Sequence, residues 1–137
     1  MGLETWPDKS SFEGQYHNGK KNGVGTFKWD DGSYYCGEFV DNKICGNGAF
    51  TWGDGKMYQG EWKEGQMHGS GTYSWPDGKV YIGQYVNDKK EGYGEICWPD
   101  KRLYKGNWLN GKQHGIGLII SPSGTEKRGE WVDGKRI

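Results

Sequence analysis

Residues 58–80 read Tyr58-Gln-Gly60-Glu-Trp62-Lys-Glu-Gly65-Gln-Met-His68-Gly-Ser-Gly71-Thr-Tyr73-Ser-Trp75-Pro-Asp-Gly78-Lys-Val80. The same pattern returns every 23 residues without insertion or deletion. Each unit opens with an aromatic residue, at Phe12, Tyr35, Tyr58, Tyr81 and Tyr104. Glycine follows two positions later, at Gly14, Gly37, Gly60, Gly83, Gly106 and Gly129. A fixed period of this length is typical of stacked-repeat proteins, which work mainly by presenting an extended surface.

Each unit is predicted to be a β-hairpin. Residues 58–62 and 69–75 alternate large or glycine residues with polar ones, which is the period of a strand. A helix is disfavoured because each internal glycine costs about 1 kcal/mol. Pro76-Asp77-Gly78 is typical of a three-residue hairpin loop with glycine in the left-handed conformation. The other turn always carries a residue that tolerates positive φ: Gly19, Asn42, Gly65, Asp88, Gly111 and Gly134.

The two turns together predict how the strands pair. With Gly65-Gln66 at the tip of the first turn, the facing pairs are Tyr58 with Tyr73, Gly60 with Gly71, and Trp62 with Gly69. With Pro76-Asp77-Gly78 as the second loop, they are Tyr73 with Tyr81, Gly71 with Gly83, and Gly69 with Tyr85. Both pairings put the same residue types on the same face, which supports one continuous antiparallel sheet.

This register predicts three rows along one face of roughly eleven strands, about 50 Å long at ~4.8 Å per strand. One row is mostly aromatic, the middle row is glycine, and the third alternates aromatic residues with glycine. Four tryptophans stand outside the first row: Trp29, Trp52, Trp75 and Trp98. We therefore expect a glycine-floored groove with aromatic walls. The opposite face is expected to be solvated, except where it becomes apolar near the C-terminal end, at Ile116, Leu118 and Ile120.

Composition excludes several functional classes. The 18 basic and 18 acidic residues give no net charge, whereas nucleic-acid binding usually needs a basic footprint. Neither an apolar run of about 20 residues for a membrane helix nor an N-terminal secretory signal is visible, so we expect a cytoplasmic location. The three cysteines, without CxxC spacing, favour reduced thiols.

Catalytic and metal-binding patterns are also missing from the sequence. His68 and His114 occupy equivalent positions two units apart and cannot share a metal ion. No nucleophile elbow, phosphate-binding loop or metalloprotease motif is present. We therefore expect no enzyme activity, no cofactor and no metal.

The pattern Tyr58-x-Gly60-x-Trp62-x-x-Gly65-x-x-His68-Gly69-x-Gly71, which returns from Tyr104 to Gly117, resembles the MORN repeat (membrane occupation and recognition nexus). The resemblance covers residues 12–137, as five units starting near residues 12, 35, 58, 81 and 104 and a partial one from 127. Residues 1–11 are expected to be a lead-in strand and turn. The resemblance implies an elongated, twisted single-layer antiparallel sheet of hairpin repeats. Proteins of this family resemble scaffolds of cilia and the cytoskeleton, peptide-binding adaptors, and accessory modules of lipid kinases and methyltransferases.

These observations favour a non-enzymatic scaffold or adaptor, in a ciliary or cytoskeletal assembly, that docks a peptide or helix of another protein in the groove. The residues expected to line it are Tyr58, Trp62, Trp75, Tyr81, Tyr85, Trp98, Tyr104 and Trp108. The alternative is a phospholipid-binding module that recruits a larger enzyme to membranes, with anion contacts at Lys20, Lys43, Lys89 and Lys112. An end interface, as a homodimer or an end-to-end contact, is expected at Ile116, Leu118 and Ile120.

Overall fold

The computed structural model describes residues 2–137, which form a single antiparallel sheet whose strand order follows the chain. This confirms the predicted fold class, an open all-β sheet of tandem hairpins. The strands are Gly2–Thr5 (β1), Ser11–His17 (β2), Lys20–Lys28 (β3), Tyr34–Val40 (β4), Lys43–Thr51 (β5), Met57–Lys63 (β6), Gln66–Ser74 (β7), Val80–Val86 (β8), Lys89–Cys97 (β9), Leu103–Leu109 (β10), Lys112–Ile120 (β11), Glu126–Val132 (β12) and Lys135–Arg136 (β13).

The sheet has 13 strands, one more than the eleven repeat strands and the lead-in strand that were predicted. The lead-in strand is β1, which pairs with β2, and the loop between them closes like the repeat loops: Trp6 N donates to Ser10 O at 3.0 Å. In the third unit, Trp75 N donates to Lys79 O at 2.9 Å. The N-terminal segment therefore corresponds to the second strand and the loop of a further repeat unit, in which Trp6 is equivalent to Trp75.

The three-residue loop forms as predicted. Gly78 N donates to Trp75 O at 3.0 Å, and Gly78 has φ 100°. The Asp77 carboxylate accepts a hydrogen bond from Lys79 N at 2.9 Å, which fixes the corner. Lys101 replaces the loop glycine in the next unit and still adopts φ 77°.

The prediction for the other turn was wrong by one residue. Glu64 and Gly65 both have positive φ, 50° and 81°, and Lys63 pairs with Gln66. This is a two-residue type I′ turn, which matches the twist of the strands that it joins. Trp62 consequently pairs with Met67 and not with the predicted Gly69.

A β-bulge then restores the predicted register, because Gly60 pairs with Gly71 and Tyr58 with Tyr73. Gly69 has φ 81° within this bulge. Hydrogen bonds hold it from both faces: the Tyr58 hydroxyl donates to Glu61 O at 3.0 Å, and the Glu61 carboxylate accepts from Ser70 N at 2.6 Å. Glu61, on the face predicted only to be solvated, therefore also stabilises the bulge of the third unit.

The core lies on the face that carries the aromatic rows. Ten rings there form a chain of contacts that we call the aromatic zipper, in which successive rings meet edge to face at 80–89° with centroids 5.0–5.7 Å apart. Edge-to-face packing is a favourable arrangement for aromatic pairs. The zipper consists of Phe12, Tyr35, Phe39, Tyr58, Trp62, Tyr81, Tyr85, Tyr104, Trp108 and Trp131.

The predicted glycine floor exists but is not open, which corrects the expected groove. A Cβ atom at Gly94 would lie 2.6 Å from Cε2 and Cζ of Tyr81, and one at Gly106 would lie 2.6 Å from the Tyr104 hydroxyl. The tyrosine rings therefore lie directly on the glycine row and fill the channel. Glycine is needed because a one-layer sheet has no second layer in which to bury these rings.

Candidate interaction surface

A second chain of aromatic rings lies beside the zipper, at the ends of the strands that precede the three-residue loops. We call it the aromatic ladder. Its successive centroids are 4.5–5.4 Å apart, with ring planes tilted by 22–44°. All of its rings are half-buried. The ladder consists of Trp6, Phe27, Trp29, Phe50, Trp52, Tyr73 and Trp75.

The ladder stops at Trp75 because the next position along the row is Ile96 and not an aromatic residue. Trp98 lies one repeat further on, half-buried, with the Arg102 guanidinium 5.4 Å from its ring centroid. The ladder is therefore a feature of the N-terminal and middle units.

The two sets of aromatic rings differ in their polar groups. In the zipper, the indole N–H groups of Trp62 and Trp108 donate to Gly48 O at 3.0 Å and to Gly94 O at 3.1 Å. Within residues 2–137 the indole N–H groups of the ladder tryptophans donate to no acceptor. The ladder thus offers unused hydrogen-bond donors next to apolar surface, as the amphipathic aromatic side chains of interfaces do.

A lysine ammonium group stands over each end of the ladder. Lys21 Nζ lies 5.2 Å from the Trp6 ring centroid and 5.7 Å from that of Phe27. At the other end Lys90 Nζ lies 5.4 Å from the Trp75 ring centroid. Burial lowers the pKa of the Lys90 ammonium group, and neighbouring Lys79 adds to the effect. A lysine side chain therefore lies at each end of the ladder.

Most of the residues predicted to line the groove belong to the zipper. Of the eight, only Trp75 and Trp98 are more than slightly exposed. The other six are at most 8 % exposed and support the surface from beneath: Tyr58, Trp62, Tyr81, Tyr85, Tyr104 and Trp108. Tyr85 is unusual because its buried hydroxyl has no hydrogen-bond partner in the described part of the chain.

The apolar patch predicted at the C-terminal end extends further back than expected. Ile116 is 45 % exposed, while Leu118 and Ile120 are half-buried. Ile82 and Tyr93, on the same face of the sheet, are 55 % and 54 % exposed. We call these five residues the outer patch. Its role as an end interface stays a prediction.

The lysines proposed for anion binding lie where predicted, at the hairpin edge beside the type I′ turns. All four are exposed: Lys20, Lys43, Lys89 and Lys112. The turns between them also carry Asp41, Glu64, Asp88 and Asp133. Acidic side chains in the same row weaken the attraction that a run of lysines would exert on an anionic surface.

The other chemistry of the surface is limited. Among residues 2–137 no three His, Cys, Asp or Glu side chains group closely enough to hold a metal ion. Cys36, Cys45 and Cys97 are free thiols. In the described part of the chain no helix is long and apolar enough to cross a membrane.

Together the single sheet, the type I′ turns and the repeated tyrosine–glycine packing define a tandem β-hairpin repeat protein. The family model of the MORN repeat matches six consecutive segments: residues 12–34, 35–57, 58–80, 81–101, 104–126 and 128–136. The chain therefore belongs to the MORN-repeat family, which confirms the resemblance found in the sequence.

A solved structure with a similar fold is "SAS-4 (dCPAP) TCP domain in complex with a Proline Rich Motif of Ana2 (dSTIL) of Drosophila Melanogaster". The two chains are 10 % identical with a TM-score of 0.54, and the match covers 98 % of this chain and 80 % of the other. At this identity the similarity establishes the fold alone. The comparison with curated proteins found no match.

Sequence reasoning missed the ladder as a separate unit, although the signal was present. Trp6-Pro7-Asp8 repeats Trp75-Pro76-Asp77 three periods earlier, and so marks a further tryptophan of the row. The stacking between repeats was harder to foresee, because it depends on how far each ring leans along the sheet.

Proposed function

We propose that this chain is a non-enzymatic interaction module that docks a segment of another protein along the aromatic ladder. The observation that carries this proposal is the ladder itself: seven rings in continuous contact, each left half-buried. A monomeric protein rarely exposes a contiguous apolar patch without a binding role. The ladder replaces the filled glycine channel as the surface for the partner.

The chemistry of the ladder suits a protein partner. Tryptophan and tyrosine are the side chains most enriched in interface hot spots, because they combine large apolar area with a polar group. The zipper beneath holds the rings in place, so little side-chain entropy is lost on binding. The structural neighbour, a TCP domain in complex with a proline-rich motif, supports a protein partner by analogy.

A cytoplasmic scaffold in a ciliary or cytoskeletal assembly is the setting that we propose for this module. The alternative is recruitment to a phospholipid surface through the edge lysines, as the accessory part of a larger enzyme. Acidic side chains share that edge, which makes this the weaker proposal. A homodimer or end-to-end contact through the outer patch is compatible with docking on the ladder, because the two surfaces lie on opposite faces.

The proposed function is tested by affinity capture with matched variants. Trp52→Ala removes a half-buried ring from the middle of the ladder, and Tyr93→Ala removes an exposed ring from the opposite face. A partner that binds the wild type and Tyr93→Ala but not Trp52→Ala supports docking on the ladder. A partner lost with Tyr93→Ala and retained with Trp52→Ala would place the interface on the outer patch.

Sedimentation with anionic vesicles tests the lipid alternative. The proposal expects little binding at physiological salt, and none that depends on the edge lysines. Strong binding that disappears when Lys20, Lys43, Lys89 and Lys112 are changed to Glu would favour membrane recruitment instead.

A further inference from the structure

We propose that the partner segment is a polyproline II helix with a proline at every third residue, one for each tryptophan of the ladder, and with acidic residues at both ends. This inference rests on the proposed function and specifies the chemistry of the partner. It follows from the spacing of the tryptophans, from their unused N–H groups and from the two lysines.

The first argument is the repeat distance. Trp6, Trp29, Trp52 and Trp75 recur once for every two strands, which corresponds to about 9.6 Å at ~4.8 Å per strand. A polyproline II helix rises about 9.3 Å in one turn of three residues. The mismatch is about 0.3 Å per repeat, so it accumulates to only about 1 Å over the three repeats from Trp6 to Trp75.

Other extended or helical segments fit this spacing less well. A β-strand presents side chains on one face every ~6.7 Å, which is about 2.9 Å short of the tryptophan spacing, so it loses register within one repeat. An α-helix returns to the same face after seven residues, about 10.5 Å, and exceeds the ladder by about 0.9 Å per repeat. Over three repeats this helix is displaced by about half a turn of its pitch. The polyproline II helix alone keeps register along the whole ladder.

The second argument is hydrogen bonding. A polyproline II helix makes no internal hydrogen bonds, so its backbone carbonyls need donors. The indole N–H groups of the ladder tryptophans donate to no acceptor within residues 2–137, whereas those of Trp62 and Trp108 in the zipper donate to backbone carbonyls. The indole N–H groups are thus available to a peptide that lacks internal partners. Aromatic grooves recognise proline-rich segments in this general manner.

The third argument is charge. Lys21 and Lys90 occupy the same position in units three repeats apart, and their ammonium groups stand over the two ends of the ladder. Neither forms an ion pair with a carboxylate in the described part of the chain. Three repeats span about 29 Å, the length of about nine residues of polyproline II helix. Two carboxylates about nine residues apart in the peptide would meet both lysines.

The test uses synthetic peptides and the whole chain, with fluorescence anisotropy as the readout. The probe has four prolines, one at every third position, and two glutamates nine positions apart. A matched peptide of the same composition places the prolines at every fourth position. Because these two peptides differ only in spacing, their comparison does not depend on any variant remaining folded.

We expect the period-three peptide to bind about tenfold or more tightly than the period-four peptide, since a mismatched spacing engages fewer rings. Trp52→Ala, or Trp52→Leu if the alanine variant is poorly folded, should weaken binding by a similar factor. Tyr93→Ala should leave it unchanged. Lys90→Gln should weaken binding of the peptide that carries glutamates and leave binding of an all-neutral version of the peptide unaffected.

Equal affinity for the two spacings, or binding unaffected by loss of Trp52, would overturn the inference. If the period-three peptide fails while a helical or other peptide selected on the wild type binds and is lost in Trp52→Ala, the inference falls and the proposed function stands. If binding of any selected peptide is indifferent to the ladder variants, both fail.

Discussion

The packing of Tyr81 on the glycine row predicts that Gly94→Ala is costly. The new Cβ atom would lie 2.6 Å from Cε2 and Cζ of Tyr81, and its three nearest neighbours all belong to that side chain. Tyr81 is fully buried and donates its hydroxyl to Gln84 O at 2.9 Å. Forced displacement of a core ring costs about 1–3 kcal/mol, and loss of its hydrogen bond about 0.5–1.5 kcal/mol more. We expect Gly94→Ala to lower the free energy of unfolding by about 2–4 kcal/mol.

A double-mutant cycle isolates the contact with the ring. In a Tyr81→Leu background the atoms that block the site are absent, so Gly94→Ala should cost close to nothing, or stabilise by up to about 1 kcal/mol through reduced backbone entropy. Gly111→Ala is the control for glycine at a turn. It has φ 82° and nothing within 4 Å of a Cβ atom, so only the cost of a left-handed backbone applies, about 1–2 kcal/mol.

The assay is guanidinium unfolding followed by tryptophan fluorescence, with the midpoint and the m-value compared among the four members of the cycle. A steric contact between the Tyr81 ring and the new methyl group requires a coupling energy of about 2 kcal/mol or more between positions 81 and 94. An equal cost of Gly94→Ala in the wild-type and Tyr81→Leu backgrounds would refute it, because the cost would then come from the backbone and not from the ring.

Three further predictions concern single side chains. Tyr58→Phe should lower the free energy of unfolding by about 1 kcal/mol, because it removes the hydroxyl that donates to Glu61 O. Tyr85→Phe removes a buried hydroxyl without a partner and should leave that free energy unchanged or raise it. Thermal unfolding of both variants checks this, and equal losses of stability would contradict it. Burial raises the pKa of Tyr58 from 10.0 to about 12, so the folded state holds the phenol proton more tightly than the unfolded chain does. The free energy of unfolding should therefore fall as pH rises from 10 towards 12. A melting temperature that stays constant across that range would contradict this prediction. Lys101→Gly should raise the free energy of unfolding by about 0.5–1 kcal/mol, because glycine adopts a φ of 77° without steric strain and this gain exceeds the entropic cost of glycine. A lower denaturation midpoint would contradict this and would show that the lysine side chain stabilises the loop.

Much of the fold could be predicted from the sequence because local and long-range signals agree. The pairs Tyr58–Tyr73 and Tyr73–Tyr81 followed from the period and the loop residues, and the structure confirms both. The first turn was misplaced because the sequence marks only Gly65 as a residue that favours positive φ, whereas Glu64 adopts φ 50° as well. The bulge at Gly69 compensates for the shifted turn. Glycine at this position is typical of a bulge, but it fits an ordinary cross-strand pair equally well, so the sequence did not distinguish the two.

The candidate site was predicted less well, because sequence does not say which rings cover others. The glycine row predicted the floor of a groove, and the structure shows that the tyrosine of the same unit covers this floor. Burial of Tyr81 and Tyr104 removed the expected groove. The outer patch was predicted at Ile116 and not at Ile82 or Tyr93, because single apolar residues on a polar face carry no pattern until the strands are paired.

The claim that the ladder is the docking surface is tested most directly by an NMR titration of the indole N–H resonances. The protein carries eight tryptophans, and the titrant is the tightest peptide from an unbiased display selection on the wild-type chain. We predict that the resonances of Trp6, Trp29, Trp52 and Trp75 shift together, with a single affinity, while those of Trp62 and Trp108 move little. Shifts confined to the backbone amides of the outer patch, with the ladder indoles unmoved, would contradict the account.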